Sequence, residues 1–306
     1  MCSGRISRPT SSKDPCNTSP GASAASAKPE NRSVEKALES RIITALAMLG
    51  IFLGLTFFAS DAVYALVLGL LTAVAGWEWS LMAGVRGERP RQVVAFVYGL
   101  VALFCLTFWA AGEPLRWILL AAAVFWLGVL VLLTLKPVRD HLGAPSLRLL
   151  VTGLFVCVAA VTSIQAVRSG VEGHSSWLIL YVCMIIWSMD TGAYFVGRRF
   201  GRTKLAPSIS PGKTREGVYG GLAFAFVMHL LSMSVAGGHV DGVKLLVATL
   251  LAAAVSIVGD LYESRMKRGV DLKDSGHILP GHGGLLDRLD GIIAAVPVFA
   301  FLWVWL

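Results

Sequence analysis

The sequence predicts an all-α protein that crosses a membrane about nine times. Three observations support this fold class: 55% of the 306 residues are hydrophobic and only 15% are charged, long apolar runs recur along the chain, and the basic residues between the runs collect on one side. A spanning helix needs about 20 apolar residues to cross a hydrocarbon core of roughly 30 Å. Helices of a soluble protein would need polar faces, which these runs lack.

Nine runs are long enough to be interpreted as spans. They cover residues 42–58, 62–83, 92–111, 115–135, 147–167, 177–196, 217–235, 243–261 and 292–306. The ninth run is short by itself, and we expect its helix to begin near Leu285, inside a charged segment.

The basic residues predict the orientation of the spans. With the amino terminus in the cytoplasm, 24 of the 27 Lys and Arg residues lie in cytoplasmic segments, and only Arg116, Arg168 and Lys244 lie on the other side. This distribution follows the positive-inside rule. We therefore expect a multi-pass membrane protein whose carboxyl terminus lies outside.

Residues 1–40 are rich in Ser, Ala, Pro, Lys and Glu and have no apolar period. They predict a disordered cytoplasmic tail, followed by a membrane domain over residues 41–306. The net charge of +8 indicates proximity to anionic lipid rather than nucleic acid, because no nucleic-acid-binding module accompanies it. The five cysteines form no CxxC pair and the six histidines no HExxH pattern, so the common zinc motifs are absent.

Chemically active residue types concentrate in two cytoplasmic loops, residues 197–216 and 260–290. The second loop contains six acidic and five basic residues and includes the stretch KDSGHILPGHGGLLDRLDG (273–291). A patch that only attracts lipid would be basic. The mixture therefore indicates a site that binds both a metal and an anion.

Three aspartates are the candidate metal ligands. Asp287 and Asp290 stand three apart and share a helix face, and Asp260 ends an apolar run, where an unpaired charge is costly. Mg²⁺ prefers one or two such carboxylates, with other positions left for water and phosphate oxygens. The alternative is that these acids only pair with neighbouring Lys and Arg side chains. Asp190 lies inside the sixth span and is a further candidate site residue, either functional or paired with an arginine. Glu78 in the second span is a weaker candidate, and the simpler interpretation is that it pairs between helices.

The basic side chains and glycines of the same loops suit phosphate binding. Lys and Arg neutralise a polyphosphate, and bare glycine backbone can approach an anion through its N–H groups. The residues of this kind are Lys267, Arg268, Lys273, His282, Gly283, Gly284 and Arg288. In SPGKTREG (210–217), Lys213, Thr214 and Glu216 stand at the start of a predicted helix, whose positive end attracts anions. This segment is not a P-loop, because the glycine required five residues before Gly212 is Pro207.

These residues resemble the phosphatidate cytidylyltransferase family, also called CDP-diacylglycerol synthase. SRMKRGVDLKDSGHILPGHGGLLDRLD (264–290) fits the family signature SxxKRxxxxKDxxxxLPxHGGxxDRxD at every fixed position. DTGAYFVGRRFG (190–201) and SPGKTREG are similar to two further family blocks, although Gly212 and Arg215 replace the lysine and tryptophan of the usual SPKKTWEG. The resemblance is strong over the carboxyl-terminal half and holds only in outline over the first spans.

The resemblance implies that CTP and phosphatidate react to CDP-diacylglycerol and pyrophosphate, with Mg²⁺ required and a second cation left open. It also implies a homodimer in the cell (inner) membrane, with the active-site loops in the cytoplasm. The predicted catalytic residues are Asp260, Lys267, Arg268, Asp287 and Asp290, of which the three aspartates hold the metal. The predicted substrate-binding residues are Asp190, Ser210, Lys213, Thr214, Glu216, Ser264, Lys273, Asp274, His282, Gly283, Gly284 and Arg288.

Two other functions compete with this one. A membrane transporter would explain the spans and the intramembrane Asp190, but not the dense acidic and basic residues on one aqueous face. A CTP-dependent lipid kinase of the polyprenol type would share the bundle and the nucleotide site, yet it would release CDP instead of pyrophosphate.

Overall fold

The computed structural model describes residues 27–109, 112–135, 145–169, 175–236, 241–278 and 283–305. Within these ranges the chain forms nine helices and one antiparallel pair of strands. The helices are α1 (Ala27–Phe58), α2 (Asp61–Met82), α3 (Glu88–Phe108), α4 (Gly112–Leu135), α5 (Leu147–Ser169), α6 (Ser175–Phe200), α7 (Arg215–Ala236), α8 (Gly242–Gly269) and α9 (Leu286–Trp305). The strands β1 (Lys204–Ala206) and β2 (Ser210–Thr214) lie between α6 and α7.

The predicted polytopic all-α fold is confirmed. Eight helices of the described ranges, α2 to α9, are long and apolar enough to cross a membrane, and the apolar part of α1, Ile42–Phe58, is shorter. Each of the nine predicted runs falls on a helix of its own. The last helix begins at Leu286, inside the charged segment where its start was expected.

The predicted tail falls mostly outside the described residues, which begin at Ala27. Helix α1 also begins there, so it includes the last part of the stretch that composition assigns to the tail. The division into a tail and a membrane domain stays a prediction.

Helix α9 lies at the centre of the bundle and contacts α2, α4, α5, α6 and α8. Its residues 293–300 are all buried. Gly259 of α8 lets the backbone of α8 lie close against α9. A methyl group at this position would lie 2.7 Å from Ala294 Cβ and would meet the carbonyl oxygen of Asp290. The end of α8 is thereby held beside the beginning of α9, where the signature aspartates lie.

Buried hydrogen bonds join three helices that carry predicted site residues. The Tyr181 hydroxyl of α6 lies 3.0 Å from His229 Nδ1 of α7 and also contacts Thr249 Oγ1 of α8. Apolar surroundings offer these groups no water, so they satisfy one another. The contacts fix α6, α7 and α8 relative to each other.

Candidate active site

A buried ion pair joins α8 to α9. Lys267 Nζ lies 2.6 Å from Asp287 Oδ1 and 3.1 Å from Glu263 Oε1. The Lys267 and Asp287 side chains are only 11% and 10% exposed. One ammonium group therefore serves two carboxylates in surroundings where water screens charge poorly.

Asp287 also closes the loop that precedes α9. Its Oδ2 accepts hydrogen bonds from the backbone N–H groups of Ser275 and Gly284, each at 2.9 Å. A carboxylate in the first turn of a helix is further favoured by the positive end of the helix dipole. Both carboxylate oxygens thus have partners, which fixes the orientation of the side chain.

A second ion pair joins the strand pair to α8. Lys213 Nζ, from β2, contacts Asp260 Oδ2, and Ser264 Oγ donates to Asp260 Oδ1 at 3.3 Å. The Lys213 and Asp260 side chains are 27% and 33% exposed. This pair is therefore more accessible to a ligand than the pair of Lys267 and Asp287.

Asp290 connects the two ion pairs electrostatically, and Asp190 interacts with the pair of Lys213 and Asp260. The charges of both aspartates interact with those of Asp260 and Lys213, and Asp290 interacts with Lys267 as well. Asp290 Oδ1 also accepts a hydrogen bond from the N–H of Gly291 at 2.8 Å. Side chains from α6, β2, α8 and α9 therefore form one group, which we call the charged cluster. Its members are Asp190, Lys213, Asp260, Glu263, Lys267, Asp287 and Asp290.

The charged cluster suits a bound cation by its chemistry. Its five carboxylates exceed its two ammonium groups, and carboxylate oxygens are the donors that Mg²⁺ prefers. Over the described ranges, however, no group of three or more His, Cys, Asp or Glu side chains is arranged to hold a metal ion. Lys213 and Lys267 instead contact the carboxylates of Asp260 and Asp287. A cation at Asp260 or Asp287 would have to share the carboxylate with an ammonium group or displace that group.

Comparison with known proteins places the chain in a family. The model of the cytidylyltransferase family matches residues 39–306. The chain belongs to this family. It is 39% identical to a phosphatidate cytidylyltransferase of Pseudomonas aeruginosa over 268 residues, 87% of this chain and 97% of the relative. A phosphatidate cytidylyltransferase of Haemophilus influenzae is 34% identical over 283 residues, 87% of this chain and 98% of the relative, and one of Bacillus subtilis is 48% identical over 124 residues, 40% of this chain and 46% of the relative.

Further predicted residues of this cytidylyltransferase-family chain lie on the same helices, strand and loop that carry the charged cluster. Arg268, Lys273, Asp274 and Arg288 are exposed near the ends of α8 and α9, and Ser210 is half-buried at the start of β2. Gly283 has a φ of 86°, which fits a turn just before α9. His282 lies outside the described residues.

Thr214 and Glu216 make local contacts in the structure. Thr214 Oγ1 accepts a hydrogen bond from the N–H of Gly217 at 3.1 Å and caps the start of α7. The Glu216 carboxylate accepts from the N–H groups of Arg202 and Thr203 at 3.1 Å. Residues 210–214 form a strand, so Lys213 precedes the helix rather than beginning it. Such short strands show too little alternation to be read from a sequence.

Glu78 has contacts in the site that the sequence did not indicate. Its side chain is fully buried at 0% exposure. Oε1 accepts from the N–H of Leu285, and Oε2 accepts from the N–H of Leu286 and the hydroxyl of Ser275, each at 2.9 Å. The one available signal was a carboxylate inside an apolar span.

Glu263 also belongs to the site, although it was not among the predicted site residues. It is 1% exposed. Oε1 lies 3.1 Å from Lys267 Nζ, yet neither of its oxygens has a hydrogen bond of acceptable geometry. The spacing of four residues to Lys267 on one helix face could have indicated this pairing.

Proposed function

We propose that the chain transfers the cytidylyl group of CTP to phosphatidate and forms CDP-diacylglycerol and pyrophosphate. The observation that carries this proposal is the charged cluster, in which lysines and carboxylates of β2, α8 and α9 form ion pairs among helices able to span a membrane. Membership of the cytidylyltransferase family and similarity to phosphatidate cytidylyltransferases over most of the chain support it.

The reaction requires two anions to approach each other. An oxygen of the lipid phosphate attacks the α-phosphorus of CTP, and the bond from that phosphorus to the oxygen bridging to the β-phosphate breaks. The electron pair of that bond leaves with pyrophosphate. Because the lipid phosphate is already anionic at neutral pH, the enzyme needs neither a serine nucleophile nor a strong general base. Positioning and electrostatic stabilisation supply the catalysis.

The lysines and arginines around the site have separate roles in this proposal. Lys213 is partly exposed, so it can turn from Asp260 to a phosphate oxygen of an arriving substrate. Lys267 is more buried and holds Asp287 in place, while its charge also neutralises the triphosphate. Three exposed basic side chains neutralise the triphosphate and the departing pyrophosphate: Arg268, Lys273 and Arg288. Ser210, Thr214 and Ser264 are the proposed hydroxyl contacts to phosphate.

Asp260, Asp287 and Asp290 would hold Mg²⁺, with Asp190 in a supporting role. The excess of carboxylates in the charged cluster supports this assignment. The ion, when bound, supplies neutralisation of the triphosphate charge. Lys213 then has a phosphate oxygen in place of its present partner Asp260, while Lys267 stays beside Asp287. A second cation is compatible with the number of acids.

We also propose that the chain lies in the cell (inner) membrane, with its amino terminus and active-site loops in the cytoplasm. The asymmetry of Lys and Arg between the two sides supports this orientation, and CTP is available on the cytoplasmic side. The homodimer implied by the resemblance is part of the proposal, and the molar mass of the purified protein in detergent tests it.

A dual-label assay tests the function. The purified full chain is incubated in detergent with phosphatidate, Mg²⁺ and CTP labelled at either the α- or the γ-phosphate. We expect the α-label to enter the lipid and the γ-label to leave as pyrophosphate. Transfer of the γ-label to a lipid would instead establish a kinase, and no transfer of either label would exclude both enzymes.

Asp287→Asn and Asp271→Asn form a matched pair for this assay. Asp287→Asn removes a charge that contacts Lys267. Asp271→Asn removes an exposed acid of the same loop, at a φ of 57° that asparagine tolerates. We expect the first variant to lose transfer of the α-label and the second to retain it.

A further inference from the structure

We propose that Glu78 is a positioning residue of the active site. From α2, it holds both ends of the loop that precedes Asp287 and thereby fixes the Asp287 carboxylate. The consequence for turnover rests on the proposed function, whereas the contacts themselves do not.

Glu78 and Asp287 bind the same two segments of backbone. Ser275 donates its N–H to Asp287 and its hydroxyl to Glu78, each at 2.9 Å. At the other end of the loop, Gly284 N–H donates to Asp287, and the next two N–H groups, of Leu285 and Leu286, donate to Glu78. The Asp287 carboxylate therefore depends on two donors whose own positions Glu78 determines.

Burial makes these contacts difficult to replace. Glu78, Ser275 and Leu286 are all 0% exposed. The N–H groups at the start of α9 have no acceptor within the helix. Without the Glu78 carboxylate they must remain unpaired or the loop must move to reach water, because buried donors are nearly always satisfied in folded proteins. Because unpaired buried donors are costly, we expect the loop to move, which displaces Ser275 or Gly284 and so disturbs Asp287.

The glycines of the loop leave the space that the carboxylate occupies. A methyl group at Gly276 would lie 2.6 Å from Glu78 Oε1, and one at Gly284 would lie 2.7 Å from Glu78 Oε2. These separations are too short for real contacts, so side chains are excluded at both positions while Glu78 is in place. Gly276 thus leaves space for Glu78, and Gly284 leaves space for Glu78 and for its hydrogen-bond partner Ser275.

Glu78→Gln is the decisive variant. The glutamine has nearly the same size, but its amide has one acceptor oxygen and one NH₂ donor, and that donor would face N–H groups that need an acceptor. Trp79→Phe is the matched control: it removes the hydrogen bond from Trp79 Nε1 to the Leu149 carbonyl oxygen at 2.8 Å, on the same helix, without touching the loop. Ser275→Ala is a milder test, since it removes one of the three donors to Glu78 and keeps the N–H bond to Asp287.

The experiment compares hydrogen exchange with kinetics in detergent-purified full chains. For Glu78→Gln we expect faster amide exchange in the peptides that contain Ser275 and residues 284–287, and a fall in kcat of about 100-fold, the size expected when a reacting group is displaced by about 1 Å. KM for phosphatidate should stay near the wild-type value. Ser275→Ala should show the same pattern with a smaller loss, and Trp79→Phe should retain its kcat even where its thermal midpoint is lowered equally.

Each outcome decides the proposal. Unchanged exchange at the loop in Glu78→Gln, or a loss of kcat no larger than that of Trp79→Phe at equal thermal stability, would show that Glu78 only supports the fold. If Glu78→Gln does not fold, an unaltered Ser275→Ala overturns the proposal and a selectively impaired one upholds it. An inactive wild-type protein would defeat the proposed function, while the exchange data would still decide whether Glu78 holds the loop.

Discussion

Replacing Lys267 by methionine should destabilise the protein strongly, because this ammonium group is the ion-pair partner of two buried acids. Glu263 is 1% exposed and Asp287 10%. Methionine keeps most of the apolar stem but removes the charge. Both carboxylates then remain buried without a cation at contact distance.

The size of the effect follows from the burial. Removing one partner of a buried ion pair costs about 3–5 kcal/mol, since the charge left behind has lost its hydration and its partner. Lys267→Met belongs at the upper end of that range because it leaves two acids unpaired. Glu263→Gln should cost far less, because Lys267 keeps Asp287 at 2.6 Å and the lost carboxylate had no hydrogen bond.

Equilibrium unfolding in detergent, followed by tryptophan fluorescence, measures these free energies. We compare wild type, Lys267→Met, Glu263→Gln and the double variant. The double variant should recover part of the loss, because only Asp287 then lacks a cation, while its transfer of the α-label should stay low. A Lys267→Met protein within about 1 kcal/mol of wild type, the usual worth of an exposed pair, would refute this reasoning. Equal costs for the two single variants would refute it as well.

Three further predictions concern turnover and packing. Lys213→Met should lower kcat about 100-fold, the usual cost of losing one group that stabilises developing charge, with little change in the unfolding free energy because the side chain is 27% exposed. Gly284→Ala should lower both the thermal midpoint and activity, since its methyl group would collide with Ser275 Oγ and lie 2.7 Å from Glu78 Oε2. Gly212→Ala, which meets nothing within 4 Å, should change neither. Removal of divalent ions with EDTA should abolish transfer of the α-label, and added Mg²⁺ should restore it, as the label in extracted lipid will show.

The sequence was sufficient to predict the helices. Long apolar runs need no tertiary information, because the bilayer sets both their length and their composition, and each run falls on its own helix. The strand pair between α6 and α7 was not predicted. Its strands are three and five residues long, and alternation cannot be recognised over so few positions.

The sequence predicted which residues belong to the site better than it predicted which of them contact each other. Asp260, Lys267 and Asp287 were singled out from charge and spacing, and the structure brings them into the charged cluster with Lys213. Nothing in the sequence states that Lys213 meets Asp260 across 47 positions. Such a contact depends on how β2 lies against α8. The periodicity of neither element predicts that arrangement.

Glu78 shows the limit most clearly, because its partners are about 200 positions away in the chain. An acid in an apolar span signals only that some partner exists. The simpler interpretation was that Glu78 pairs between helices, and its partners are the backbone at the start of α9 and the hydroxyl of Ser275. Backbone donors carry no sequence signature, so local spacing could not have indicated this contact. A carboxylate that binds backbone also contributes to the site by shaping a loop, and its loss should therefore lower kcat more than it changes the binding of either substrate.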